Sequence, residues 1–264
     1  MDIGLTDACV VVQGGTEGMG RAAAQCFAQD GAKIAILART KSKLDATVAQ
    51  LRDAGAHDAL ALQADITKPD EITAAFEKVR ERWGELNILV NSTGPMSLGN
   101  FDELTDADWF AAFDQGTMGM VRCVRAALPL MRAAKWGRIV NISAHSTKRQ
   151  SQGLVAYTAA KAAVTSVTKN LSLHLAKDGI LVNTVSPGSF ATEAFRVWMT
   201  AQGKDPNDLY ACMAAIKENY DHPAHLPRAG DPNEIGPVIA FAASPRNTYM
   251  TGANINVDGG SDFC

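Results

Sequence analysis

The chain has 264 residues, of which 47% are hydrophobic, 20% charged and 6% aromatic. A chain of this length buries a large core, and its composition excludes a disordered polymer, a collagen-like fibre and a disulfide-stapled miniprotein. The formal charge of −3, from 25 basic and 28 acidic residues with no block of like sign, leaves no electrostatic footprint for nucleic acid or an anionic membrane surface.

Five scattered cysteines (Cys9, Cys26, Cys123, Cys212 and Cys264) never form a CxxC pair, which predicts reduced thiols rather than a disulfide framework or a zinc site. No apolar run approaches the ~20 residues of a membrane span. The N-terminal stretch carries Asp2 and Asp7 and lacks the basic head of a signal peptide, so a cytoplasmic location is expected.

Strand candidates in chain order are 8–13, 33–38, 59–63, 86–91, 137–143, 180–186 and 253–257. Most are continuous apolar runs, as parallel strands covered by helices on both faces require. Helical patterns lie between them; within 156–177, Val164, Val167, Leu171 and Leu175 recur at spacings of three and four. The alternation predicts an α/β fold, a single Rossmann-like doubly wound parallel sheet of about seven strands with right-handed crossovers. No Pro/Gly/Ser-rich linker or internal repeat divides the chain, so residues 1–264 read as one domain.

Residues 192–228 break the rhythm. Gly203, Pro206, Pro223 and Pro227 interrupt helix-prone sequence that carries Trp198, Met199, Leu209, Tyr210, Met213 and Tyr220. An irregular insertion after a sheet strand predicts a substrate lid over a ligand crevice. The plainer reading is a surface helical pair packed on its own core.

The first strand runs into Gly14-Gly15-Thr16-Glu17-Gly18-Met19-Gly20 and then into a helical stretch. Glycines at 14, 18 and 20 permit a tight turn and close backbone approach to a pyrophosphate, and the following helix offers that anion its free N–H groups. At the tip of the second strand stand Ala38-Arg39-Thr40, without the carboxylate that usually holds an NAD ribose. Arg39 favours the 2′-phosphate of NADP. Glu17 opposes it by repulsion, so the reading leans to NADP and leaves NAD open.

Tyr157 and Lys161, at i and i+4 on a helix, lie about 40° apart on one face. An ammonium beside a phenol lowers the phenol pKa toward working pH, as a general acid for a developing alkoxide requires. With the glycine loop, the pair makes the chain resemble the short-chain dehydrogenase/reductase family over nearly its whole length, in particular its 3-oxoacyl-ACP reductase-like members. The matching landmarks include Asp65-Ile66, Asn91-Ser92-Thr93-Gly94, Gly137 to Ser143, Pro187-Gly188 with Thr192, and Asp258-Gly259-Gly260.

The resemblance implies hydride transfer between a nicotinamide and a carbonyl/alcohol pair. It places Gly14, Thr16, Glu17, Gly18, Met19 and Gly20 at the cofactor, Asp65 and Ile66 at the adenine, and Asn91, Ser92, Thr93 and Gly94 along the cofactor. Pro187, Gly188 and Thr192 fall at the nicotinamide end, and Lys161 on the nicotinamide ribose. Self-association as a homotetramer or homodimer is also implied.

Three positions depart from the family pattern. Gln13 replaces the Thr before the first glycine, a tolerable change in local hydrogen bonding. The serine expected thirteen residues before Tyr157 is Ala144, and the asparagine expected three residues before Gly119 is Gly116. Losing one such donor typically costs ~10²–10³ in rate. Ser143 is the candidate stand-in, re-aimed by a slip at the strand end; His145 and Ser146 in the following loop, with Trp198 and Met199 in the lid, are candidate substrate contacts. His222 and His225 are three apart, but Pro223 spoils their helix, so no metal is expected. These residues predict an NADP(H)-dependent oxidoreductase for a small or medium apolar carbonyl/alcohol pair. The alternative, motivated by Ala144 and Gly116, is a dinucleotide-binding sensor or scaffold with little redox turnover.

Overall fold

A computed structural model describes residues 3–95 and 98–261; Cys264 lies outside them. Helices and strands alternate from β1 (Cys9–Gln13) and α1 (Gly18–Gln29) through β2 (Lys33–Ala38), α2 (Lys41–Asp53), β3 (Asp58–Gln63), α3 (Pro69–Trp83) and β4 (Ile88–Asn91). They continue with α4 (Asp106–Phe113), α5 (Gly119–Ala133), β5 (Gly137–Ile142), α6 (Val155–Leu175) and β6 (Ile180–Pro187). The last are α7 (Glu193–Ala201), α8 (Leu209–Tyr220), α9 (Pro232–Ala243) and β7 (Asn254–Val257).

The strands form one seven-stranded parallel sheet in the order β3-β2-β1-β4-β5-β6-β7. Chain direction across the sheet reverses between β1 and β4, so the crevice of a doubly wound sheet opens beyond the carboxyl ends of those two strands. Both faces are covered, which explains the unbroken apolar strands. Val10 and Val12 of β1 join Ile34, Ile36, Phe27 and Ile235 on one face, while Cys9 and Val11 join Leu37, Phe76, Val124 and Val164 on the other. β4 starts two residues later than predicted because the Leu86 N–H donates to the Leu130 carbonyl of α5 (3.2 Å) instead of to a strand.

Two local features shape the crevice. Between α4 and α5 the backbone opens into one π turn, Asp114–Met118, with Gly116 inside it; such bulges re-aim a helix. After β6, α7 and α8 pack on each other through Met199, Cys212, Met213 and Ile216, an apolar cluster separate from the sheet's two cores. The plainer expectation for this segment therefore describes how it is held together. Among the described residues no helix is long and apolar enough to cross a membrane.

Candidate active site

The carboxyl ends of β1, β2, β3 and β4 and the start of α7 enclose a cleft of about 740 Å³, within the size range of ligand sites. Its walls include Thr16, Glu17, Gly18 and Met19 of the glycine loop, Arg39 at the tip of β2, Asp65 and Ile66 after β3, Ser92, Thr93 and Gly94 after β4, and Thr192. The glycines have steric reasons. Gly14 has φ +76°, and a Cβ there would meet the Thr93 N at 3.0 Å. A Cβ on Gly20 would overlap the Gly14 carbonyl and reach Ser92 Cβ at 3.1 Å, so only glycine lets α1 start this close to the loop. Gln13 clamps the same region: its side-chain amide donates to Thr93 Oγ1 and accepts from the Thr93 N–H (3.1 Å).

Glu17 does not stand as an isolated negative charge. Its carboxylate pairs with Lys43 in the first turn of α2. Asp65 is occupied by the N–H (2.9 Å) and hydroxyl (2.8 Å) of Thr67, which hold its carboxyl below the usual range. Lys43 was missed in the sequence, although a cation in the first turn of a helix opposes the dipole and is a readable signal of function. Glu193, also missed, looks like an ordinary acid at a helix start; its partner Arg21 is 172 residues away and nothing in the sequence joins them.

Tyr157 and Lys161 meet at Gly94. A Cβ on Gly94 would lie 3.1 Å from Lys161 Cε, 3.2 Å from Nζ and 3.7 Å from Tyr157 Cε2. Lys161 is buried, and its Nζ donates to the carbonyls of Ile142 (2.7 Å) and Thr93 (3.4 Å). Burial lowers its pKa to about 8 and raises the half-buried Tyr157 to about 12. The expected lowering of the phenol pKa by Lys161 is thus reversed, because desolvation of the phenolate dominates.

Other placements correct the sequence reading. Ser143 turns onto α6, donating to the Lys161 carbonyl (2.9 Å) and lying 2.8 Å from Thr165 Oγ1, so no bulge re-aims it toward a substrate. Ser146 is buried and accepts from Thr158 Oγ1 (3.3 Å). His145 is buried, donates from Nδ1 to the Pro187 carbonyl (3.1 Å), and meets the His222 ring edge-to-face at 4.6 Å between centroids. Met199 is fully buried in the α7–α8 cluster, and Trp198 packs on that cluster beside Phe195. Both therefore contribute to the helical pair's own core, Met199 wholly and Trp198 in part.

Asn91 is likewise turned inward, donating to Asn141 Oδ1 (2.8 Å) in the core between β4 and β5. Gly188 has a packing reason, since a Cβ would lie 2.8 Å from the Asp258 carbonyl oxygen. The space for a side chain at Gly116 is filled: a Cβ would sit 3.0 Å from Pro95 Cδ and 3.1 Å from Ala160 Cβ. Among the described residues, no cluster of His, Cys, Asp or Glu could hold a metal ion. Burial pushes the Cys123 thiol up to about 12 and Cys9 to about 11, which makes both poor nucleophiles.

Sheet order, glycine loop and cleft define a doubly wound nucleotide-binding protein. A family model described as Enoyl-(Acyl carrier protein) reductase matches residues 14–262. Oxidoreductase UcpA of Escherichia coli (strain K12) is 32% identical over 259 residues, 97% of this chain and 95% of its own. The 3-oxoacyl-[acyl-carrier-protein] reductase FabG of Staphylococcus aureus (strain N315) is 31% identical over 251 residues, 95% of this chain and 96% of its own. The crystal structure of L-sorbose reductase from Gluconobacter frateurii, complexed with NADPH and L-sorbose, superposes with a TM-score of 0.91 at 28% identity over 100% of both chains. The chain belongs to the short-chain dehydrogenase/reductase family, whose members named here are all oxidoreductases.

Proposed function

We propose that this chain is an NADP(H)-dependent oxidoreductase that interconverts a ketone and a secondary alcohol. The observation that carries this reading is the meeting of Tyr157 and Lys161 behind Gly94, which is itself a wall residue of the cleft that also holds the glycine loop and Arg39. The cleft fits a dinucleotide: the loop admits a backbone-bound diphosphate at the start of α1, and Arg39 with Lys43 supplies cations for a 2′-phosphate. Pairing of Glu17 with Lys43 relieves the repulsion that Glu17 alone would exert.

When bound, the nicotinamide supplies or accepts the hydride. Tyr157, at about 12, holds its phenolic proton at neutral pH for an oxygen that becomes an alkoxide. Lys161 keeps its charge below about 8; with two N–H groups on the Ile142 and Thr93 carbonyls, its third donor is left for a ligand hydroxyl. Ala144 offers only a methyl group, the Ser143 hydroxyl donates to the Lys161 carbonyl of α6, and Ser146 is buried against Thr158. This active site therefore relies on Tyr157 to hold the substrate oxygen.

A second cavity, about 710 Å³, lies between residues 100–103 and 150–158, with Asp102, Glu103, Gln150 and Gln152 in its lining. Phe101 and Val155 line it as well and most of its wall is apolar, which favours a small or medium, largely apolar carbonyl/alcohol pair. A cytoplasmic, self-associating enzyme with residues 192–228 as its lid is part of the same proposal. A second reading, a dinucleotide sensor with little turnover, is favoured by Ala144 and by the filled space at Gly116.

The test is a titration of NADPH and NADH by nicotinamide fluorescence, for the wild type and Arg39→Ala. Losing one charged phosphate contact is expected to weaken NADPH about tenfold and leave NADH unchanged. NADPH consumption is then compared with L-sorbose and with a 3-oxoacyl thioester. Preference for NADH, or failure to bind either nucleotide, overturns the cofactor assignment.

A further inference from the structure

The start of α1, where the diphosphate of a dinucleotide belongs, has no cap of its own. Its first turn contains no acidic residue, and the N-cap residue Glu17 makes no side-chain cap, being paired with Lys43. The cap comes from 175 residues away: Glu193 Oε2 accepts the Gly18 N–H at 2.8 Å. The other carboxylate oxygen pairs with Arg21, one turn into α1. Glu193 is itself the first residue of α7, which has Thr192 at its N-cap without a side-chain cap bond. One carboxylate thus sits between two helix N-termini and offsets both positive ends. Gly18, Thr192 and Glu193 are all in the wall of the nucleotide cleft.

We propose that Glu193 is a built-in occupant of the cofactor's anion cradle: it latches α7, and with it the α7–α8 pair, to the glycine loop until a dinucleotide diphosphate takes its place. This rests on the cofactor reading above. The chemistry is a competition between anions for the same N–H and guanidinium groups. A carboxylate carries one charge and has few partners, whereas a diphosphate carries more charge and more acceptor oxygens. The latch is displaceable because it is a partly exposed pair, with Glu193 and Arg21 side chains 32% and 37% exposed, and such pairs are weak. α7 and α8 share one apolar cluster, so releasing Glu193 frees the pair as a unit. The His145–His222 contact and the Arg196–Asp231 pair (2.9 Å) still hold its other side. Nucleotide arrival and lid release are therefore linked through one side chain.

A latch closed in the free protein reduces apparent affinity by the fraction of open molecules, so a chain that is 70–90% latched binds roughly three- to tenfold more weakly than an unlatched one. The experiment is NADPH titration by nicotinamide fluorescence for the wild type, Glu193→Gln and Glu193→Ala. It is paired with amide hydrogen exchange across residues 192–228 with and without saturating NADPH. Both variants are expected to bind NADPH about three- to tenfold more tightly, and their ligand-free α7–α8 segment to exchange faster than the wild type's. Saturating NADPH should remove that difference. Affinity that is unchanged or falls in both variants overturns displacement, because a merely structural cap would weaken binding when removed. Exchange that is equal in wild type and variants overturns the latch. A wild type that binds no NADPH overturns the cofactor reading and displacement together, while the exchange comparison still decides the latch.

Discussion

Lys161→Met is the substitution whose consequences the structure specifies most fully. The wild-type ammonium is buried, with its folded pKa near 8 against an ordinary 10.5. At about 1.4 kcal/mol per unit, holding that charge in the folded protein costs on the order of 3 kcal/mol below about pH 8. Methionine removes the cost but also removes the bonds to the Ile142 and Thr93 carbonyls, worth roughly 1.5–3 kcal/mol each when the donor is charged. The two effects oppose each other, so the variant should lie within about 3 kcal/mol of the wild type at about pH 7.

The pH dependence separates them. Because the folded pKa lies below the unfolded one, the unfolded chain binds more protons between 8 and 10.5, and wild-type stability rises with pH in that window. By about pH 9.5 the wild type should have gained roughly 2 kcal/mol that Lys161→Met does not gain. Tyr157, raised to about 12, pulls in the opposite direction only above about pH 10, where the unfolded phenol ionises. Urea denaturation of the ligand-free proteins at about pH 7 and pH 9.5 reads the difference directly. Parallel stability curves for the two proteins would refute the claim that Lys161 is a buried cation.

Tyr157→Phe is expected to bind NADPH within about twofold of the wild type and to lose roughly 10²-fold or more in turnover, measured as NADPH consumption. Unchanged turnover would remove Tyr157 as the proton donor. Gly116→Asn should not restore a family-like site, because its Cβ meets Pro95 Cδ at 3.0 Å and Ala160 Cβ at 3.1 Å. Overpacking of about 1–3 kcal/mol should lower the thermal midpoint by several degrees, and adding Pro95→Ala should recover most of it. An unshifted midpoint in the single variant would show that the π turn yields.

Much of the fold was readable because it depends on local repetition. Apolar runs at 33–38 and 180–186 had to be parallel strands covered on both faces, and the glycine spacing at 14, 18 and 20 had to be a turn that admits an anion. Strand ends depended on partners far along the chain. Leu86 looked like strand until its N–H found Leu130 of α5.

The site divides in the same way. Tyr157 and Lys161 were legible since an i, i+4 pair on a helix shares a face whatever surrounds it. Their titration was not, because pKa values follow burial, and burial is decided by Gly94 and the ends of β4 and β5 packing over them. Ser143 alternates with Ala144 along an extended backbone, and only the packing of α6 shows that its hydroxyl is committed to Lys161 and Thr165. The emptiness at Gly116 is explained by Pro95, twenty-one residues earlier in the sequence and in contact only through the fold. Glu193 reads as an ordinary helix start, and only tertiary structure brings it onto the N-terminus of α1. Periodicity and spacing are local and survive in one dimension. Desolvation, steric filling and long-range ion pairing arise from which segments meet, so they existed only once the sheet had closed.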